Sequence, residues 1–128
     1  YFFLPLQYQN ILKQKGKVMI RNLVNTNGNE VRNRFVIKAN NGKGFQSYET
    51  ICAAKVGDRI YLNSTYFGEN FQYGSNTTRK HLYKWMRDNT FLQPYSVECI
   101  RQFIREGRII MKAEQAFNVT ITITIDWI

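Results

Sequence analysis

At 128 residues with 44% hydrophobic and 15% aromatic content, the chain has material for one core and little room for a second. That richness excludes a disordered polar chain. Lys and Arg number 18 against 9 acids, a net charge of +9. Such an excess concentrates anions at the surface and favours nucleic acid or an acidic protein face as partner, although basic solubility alone gives the same total. With one histidine and two widely separated cysteines, Cys52 and Cys99, no zinc site of ordinary composition is expected. No metal or cofactor is expected from any other residue set, and two free thiols suit a reducing compartment.

Residues 1–6 (YFFLPL) form a short apolar run interrupted by Pro5. The run is too short to span a bilayer and lacks the marks of a signal peptide. Residues 1–16 are therefore expected to be an arm, docking on the domain or inside a larger assembly. Residues 17–128 are expected to be a single α+β domain.

Strands come first. Residues 17–24 (KVMIRNLV) lead into a turn at 25–29 (NTNGN), where Gly28 takes positive φ cheaply. Residues 31–38 (VRNRFVIK) alternate. Regular pleating puts Val31, Asn33, Phe35 and Ile37 on one face and Arg32, Arg34, Val36 and Lys38 on the other. The run NNGK at 40–43 signals a hairpin into 44–54 (GFQSYETICAA), read as one strand, and Gly57-Asp58 turns the chain into 59–63 (RIYLN).

An aromatic, Gly-bearing loop follows at 66–74 (YFGENFQYG). Ser75 or Asn76 then caps a helix to about Asn89, with Leu82, Trp85 and Met86 apolar and Lys80, Lys84 and Arg87 on a neighbouring face, flanked by Arg79. Residues 91–95 connect. Ser96 caps a second helix over 97–106, ended by Gly107, with Arg101 and Arg105 on one exposed ridge. From Phe117 the sequence FNVTITITIDWI alternates strictly and predicts a long strand with one face in the core. The expected fold is α+β: a mostly antiparallel sheet of about five to six strands, two helices on one face, and the C-terminal strand central or nearly so.

No phosphate loop, dinucleotide fingerprint, HExxH or GxSxG is present. His81 sits mid-helix beside Lys80 with no carboxylate at i±4 to orient it, so no catalytic residue is assigned and a non-catalytic binder is expected. The candidate contacts for nucleic acid or an acidic partner are Arg32, Arg34, Lys38, Arg79, Lys80, Lys84, Arg87, Arg101 and Arg105. Tyr66, Phe71 and Tyr73 are candidates to stack on unpaired bases, or else they roof the core. A membrane-surface role would require a broader apolar helix face than residues 77–89 provide.

Two stretches, FVIKANNGKGFQSYETICAA at 35–54 and YGSNTTRKHLYKWM at 73–86, carry a pattern. Phe45, Ser47, Tyr48, Ile51 and Ala53 form an FxSYxxxIA-like strand with a Cys inserted. Ser75, Thr77 and Thr78 form an S-x-T-T helix start, followed by Trp85 and Met86. Over about residues 31–88 the chain resembles a family of small uncharacterised proteins of bacteriophages and mobile elements. The resemblance implies an accessory protein in a bacterial cytoplasm, one that binds DNA or obstructs a host nuclease or defence complex. Independently, a basic domain with an apolar arm would suit a structural place in a virion or ribonucleoprotein assembly.

Overall fold

The computed structural model describes residues 18–39, 42–72 and 75–118. Five strands run as a meander: β1 (Val18–Val24), β2 (Glu30–Ala39), β3 (Gly42–Ser47), β4 (Thr50–Val56) and β5 (Arg59–Asn63). Three helices follow, α1 (Ser64–Phe67), α2 (Asn76–Asn89) and α3 (Val97–Arg105), then β6 (Ile110–Lys112) and a helical run at 114–118. The sheet order is β1-β2-β3-β4-β5-β6. Neighbours in the meander are antiparallel, because tight turns join them. Only β6 is parallel to its neighbour, β5, since the helices between them carry the chain back across. The fold is α+β, as the sequence predicts.

The turns follow from local chemistry. Asn25 Oδ1 accepts from the Asn27 and Asn29 N–H groups at 2.9 and 3.0 Å, a side-chain imitation of a turn. Gly28 closes that turn at φ +83°. Residues 44–54 are not one strand: the chain reverses at Tyr48 and Glu49, between β3 and β4, with Tyr48 at φ +54°. Its N–H donates to the Asn33 carbonyl at 2.7 Å. No Gly, Asn or Asp marks this reversal, so the sequence gives no turn signal.

Asn33 itself lies at φ +60°, which breaks the alternation expected for 31–38. Val31 and Val36, five residues apart, both pack on the helix-side core. In a regular strand they would point to opposite faces. A second irregularity sits at Cys52. Phe45 pairs with Ala53 and Gln46 with Ile51, so Cys52 is the extra residue of a bulge.

The sheet has two covered faces. On one, Phe45, Ala53 and Leu62 pack with Phe67, Phe71, Leu82, Trp85, Met86 and Ile100. Burying each large side chain contributes about 1.5–3 kcal/mol, and the helices are held by this face more than by propensity. On the other face, Ile37, Ile51, Ala54 and Tyr61 pack with Phe117. Phe117 is fully buried, but it and Asn118 belong to the helical run, not to a strand. The rest of the expected C-terminal strand, residues 119–128, lies outside the described residues, as does the arm at 1–16. Among the described residues, β6 takes the sheet edge.

Candidate nucleic-acid interface

Two caps set the helices that carry the basic residues. Ser75 Oγ accepts from the Thr78 N–H at 3.1 Å, starting α2. Ser96 Oγ accepts from the Cys99 N–H at 3.3 Å, starting α3. With Leu82, Tyr83, Trp85 and Met86 turned into the core, α2 presents Lys80, Lys84 and Arg87 outward. The β1–β2 turn closes against them. Lys80, His81, Tyr83, Lys84, Arg87, Tyr95 and the turn residues Asn25 and Thr26 line one open groove of about 390 Å³.

Within this groove Arg87 is held in place. Its Nη1 donates to the Pro94 carbonyl at 2.7 Å, and its Cζ lies 4.4 Å from the Tyr95 ring centroid. Tyr95 is nonetheless 71% exposed. Lys84 pairs with Asp88 one turn on, a surface pair of the kind worth under about 1 kcal/mol and readily exchanged. Lys80 is exposed and has no ion pair among the described residues. Burial, reinforced by the Arg34 charge, holds the His81 imidazole below its ordinary pKa. It is therefore neutral at neutral pH, and its buried Nδ1 has no hydrogen-bond partner among the described residues.

A second basic feature comes from sheet register. Lys38 of β2 stands opposite Lys43 of β3, which stands opposite Lys55 of β4. Each lies two residues beyond a helix-side residue: Val36, Phe45 and Ala53 respectively. The three therefore share the helix side of the sheet. Opposed like charges destabilise a sheet, and no carboxylate pairs with any of the three among the described residues. Lysine commonly guards exposed sheet edges, but β2, β3 and β4 are interior strands. Beside this row stands Phe91, 85% exposed, its ring centroid 5.8 Å from Lys55 Nζ.

Residues 9–98 match the model of DUF8033, a family of unknown function. The chain belongs to DUF8033. No curated protein and no solved structure matches it. The span matched by the DUF8033 model includes the lysine row, the α2 groove, Phe91 and Tyr95, but not Arg101 or Arg105.

The candidate residues of this DUF8033 chain are thus divided. Lys80, Lys84 and Arg87 meet in the groove, and Lys38 joins the row. Arg101 and Arg105 line a separate groove of about 400 Å³ with Asn70, Gln72 and Ile104. There Arg101 is already paired with Glu98 at 2.7 Å and bonded to the Asn70 carbonyl. Arg79 bonds Asn76, and its charge reaches the buried Tyr83, as does that of Arg101. Arg32 is exposed on β2, on the far side of the Asn33 kink from Arg34.

Arg34 is not part of an outer stripe. It is 8% exposed, because it shares the helix side of the sheet with Val36, two residues on, and bonds Thr78 of α2. The stacking candidates are also corrected. Phe71 is fully buried, stacked on Phe67 with centroids 4.7 Å apart. Tyr66 is half-buried against Phe67, its hydroxyl 3.4 Å from Ser47 Oγ. Tyr73 lies outside the described residues. Among the described residues the exposed aromatics are instead Phe91, Tyr95 and Tyr48, and each has a cation over its ring. Sequence reasoning passed over Phe91 and Tyr95 as mere connector. The available signal was their position between two helices whose apolar periodicity was already complete without them.

Among the described residues no group of three or more His, Cys, Asp or Glu is placed to hold a metal. No helix among them is long and apolar enough to cross a membrane.

Proposed function

We propose that this DUF8033 protein is a non-catalytic nucleic-acid-binding protein that grips phosphates with Lys38, Lys43 and Lys55 from the sheet and Lys80, Lys84 and Arg87 from α2. The lysine row carries the reading. Three cations set in register on interior strands, with no opposing carboxylate among the described residues, cost stability in the free protein. A polyanion relieves that cost on binding and releases its own counterions. The net charge of +9 adds long-range attraction. A binder is favoured over an enzyme because no group among the described residues orients the Nδ1 of His81, the one histidine. The resemblance of residues 31–88 to bacteriophage and mobile-element proteins suggests the setting, a bacterial cytoplasm or a virion.

Filter binding at stepped salt tests the reading. The affinity should fall steeply as salt rises, and each lysine removed from the row or the groove should flatten the log–log slope by about 0.7–0.9. An affinity that is indifferent to salt overturns the proposal. So does a partner pulled from lysate that survives nuclease treatment while purified nucleic acid fails to bind, which would identify an acidic protein instead.

A further inference from the structure

Phe91 and Tyr95 lie on the same short connector between α2 and α3. They are the two most exposed large hydrophobic residues described, at 85% and 71%. Of the residues between them, Gln93 is exposed, but Leu92 and Pro94 are buried and anchor the connector to the body of the protein. Thr90 reinforces the anchor, since its Oγ1 donates to the Met86 carbonyl at 2.7 Å and accepts from the Leu92 N–H at 3.0 Å. The two rings are therefore displayed on a tethered support and not on a loose loop.

Each ring also has a fixed relation to one of the two basic features. Phe91 stands beside Lys55, the last member of the lysine row. Tyr95 stands beside Arg87, at the mouth of the α2 groove. Four residues of chain reach at most about 14 Å, so the row and the groove are joined by a span of only a few nucleotides. A lone exposed aromatic needs no explanation. Two on one tethered connector, each next to cations that lack a buried partner charge, form a pattern of alternating π-faces and positive charge. That is the composition of surfaces that hold unpaired nucleic acid, with phosphates on the cations and bases on the rings. A duplex presents only phosphates and groove edges, and its stacked bases would leave both rings uncovered.

Resting on the nucleic-acid reading above, we infer that the ligand is a single strand, that it crosses the 91–95 connector from the lysine row to the α2 groove, and that unpaired bases stack on Phe91 and Tyr95. Arg87 occupies one side of the Tyr95 ring, so a base takes the other, and the Arg87 bond to Pro94 holds the pair ready. The β1–β2 turn, stiffened by Asn25, forms the opposite lip of the groove.

The test is fluorescence anisotropy with four short labelled probes at one ionic strength: a mixed-sequence single strand in deoxyribose and in ribose form, the matching duplex, and an abasic sugar-phosphate strand of equal length. The single strand should bind at least tenfold more tightly than the abasic strand or the duplex. Phe91→Ala and Tyr95→Ala should each weaken single-strand binding about 5- to 150-fold and leave abasic binding unchanged. Tyr95→Phe should keep most of the affinity, because stacking needs the ring and not the hydroxyl. Both positions are exposed, so the alanine variants are expected to melt like the wild type, and a thermal scan checks this. Equal binding of the abasic and normal strands would overturn the inference while leaving the phosphate reading standing. Failure of all four probes to bind would overturn both.

Discussion

Arg34 Nη2 donates to Thr78 Oγ1 at 3.0 Å, joining β2 to the first turn of α2 across 44 residues of sequence. The guanidinium is buried, has no carboxylate partner among the described residues, and leaves its Nε without a hydrogen bond. It is thus a strut and not a phosphate contact. Removing it strands the Thr78 hydroxyl only in part, since Ser75 Oγ also bonds Thr78 Oγ1. Arg34→Ala should cost about 1–3 kcal/mol in urea denaturation and leave the salt slope of binding unchanged. A variant of wild-type stability with a flattened slope would return Arg34 to the binding surface.

Lys43 is the middle member of the lysine row, facing Lys38 on one side and Lys55 on the other. Replacing it with Gln removes two like-charge contacts and no attractive one. Lys43→Gln should therefore stabilise the free protein by about 0.2–1 kcal/mol at low salt, and the gain should shrink at high salt. The same variant should bind nucleic acid more weakly. Opposite signs on stability and affinity are the mark of a site kept at a cost to the fold. Loss of both would show that Lys43 serves packing.

Much of the fold was legible because the apolar periodicities are strong. The helix at α2, its Ser75 cap, the α3 boundaries with Gly107 beyond, and the turn at Gly28 all follow from local rules. What escaped depends on backbone states that the residue types do not advertise. Asn33 and Tyr48 both adopt positive φ and bond to each other. That one contact splits an expected strand at Tyr48 and flips the face of every β2 residue before Asn33. Arg34, after the kink, keeps the face of Val36, and it is buried because α2 covers that face. The candidate site was legible on α2, where Lys80, Lys84 and Arg87 share a helical face. It was not legible on the sheet, because the Lys38–Lys43–Lys55 row exists only through register between three strands. Phe91 and Tyr95 became visible only when the core proved complete without them.

The two cysteines should differ sharply as nucleophiles. Burial pushes the Cys52 thiol up to about 12. At Cys99 the hydrogen bond from Ser96 Oγ holds the thiol below its ordinary value. The thiolate is the reactive form, so a thiol reagent at neutral pH should label Cys99 quickly and Cys52 only on unfolding. Mass spectrometry after timed alkylation reads this directly. Equal rates in the folded protein would contradict the burial of Cys52. The raised Cys52 value also means the folded chain keeps a proton that the unfolded chain loses above about pH 9. Stability should therefore fall as pH rises from about 9 toward 12, and Cys52→Ala should remove that part of the decline.

His81 sets the acid side of the profile. Its folded pKa lies below the ordinary value of 6.5, first because of burial and second because of the Arg34 charge. The unfolded chain thus takes up a proton at a higher pH than the folded one. The neutral imidazole contributes its full stability above about 6.5, and that contribution is lost as pH falls through 6.5 toward the depressed folded value. Urea midpoints measured from pH 7.5 down to 5 should decline, and His81→Gln should flatten the decline. Arg34→Ala should move the His81 titration upward, as followed by imidazole proton shifts in NMR, because it removes one of the two causes. Binding offers a separate sign. His81 lines the groove, so a nucleic-acid phosphate placed there stabilises the imidazolium and raises its pKa. Affinity should then strengthen on acidification within the range where the protein stays folded, and His81→Gln should abolish that gain. An affinity that is flat across this range would mean that no phosphate approaches His81, and would shift the strand's path toward Lys80 and Lys84.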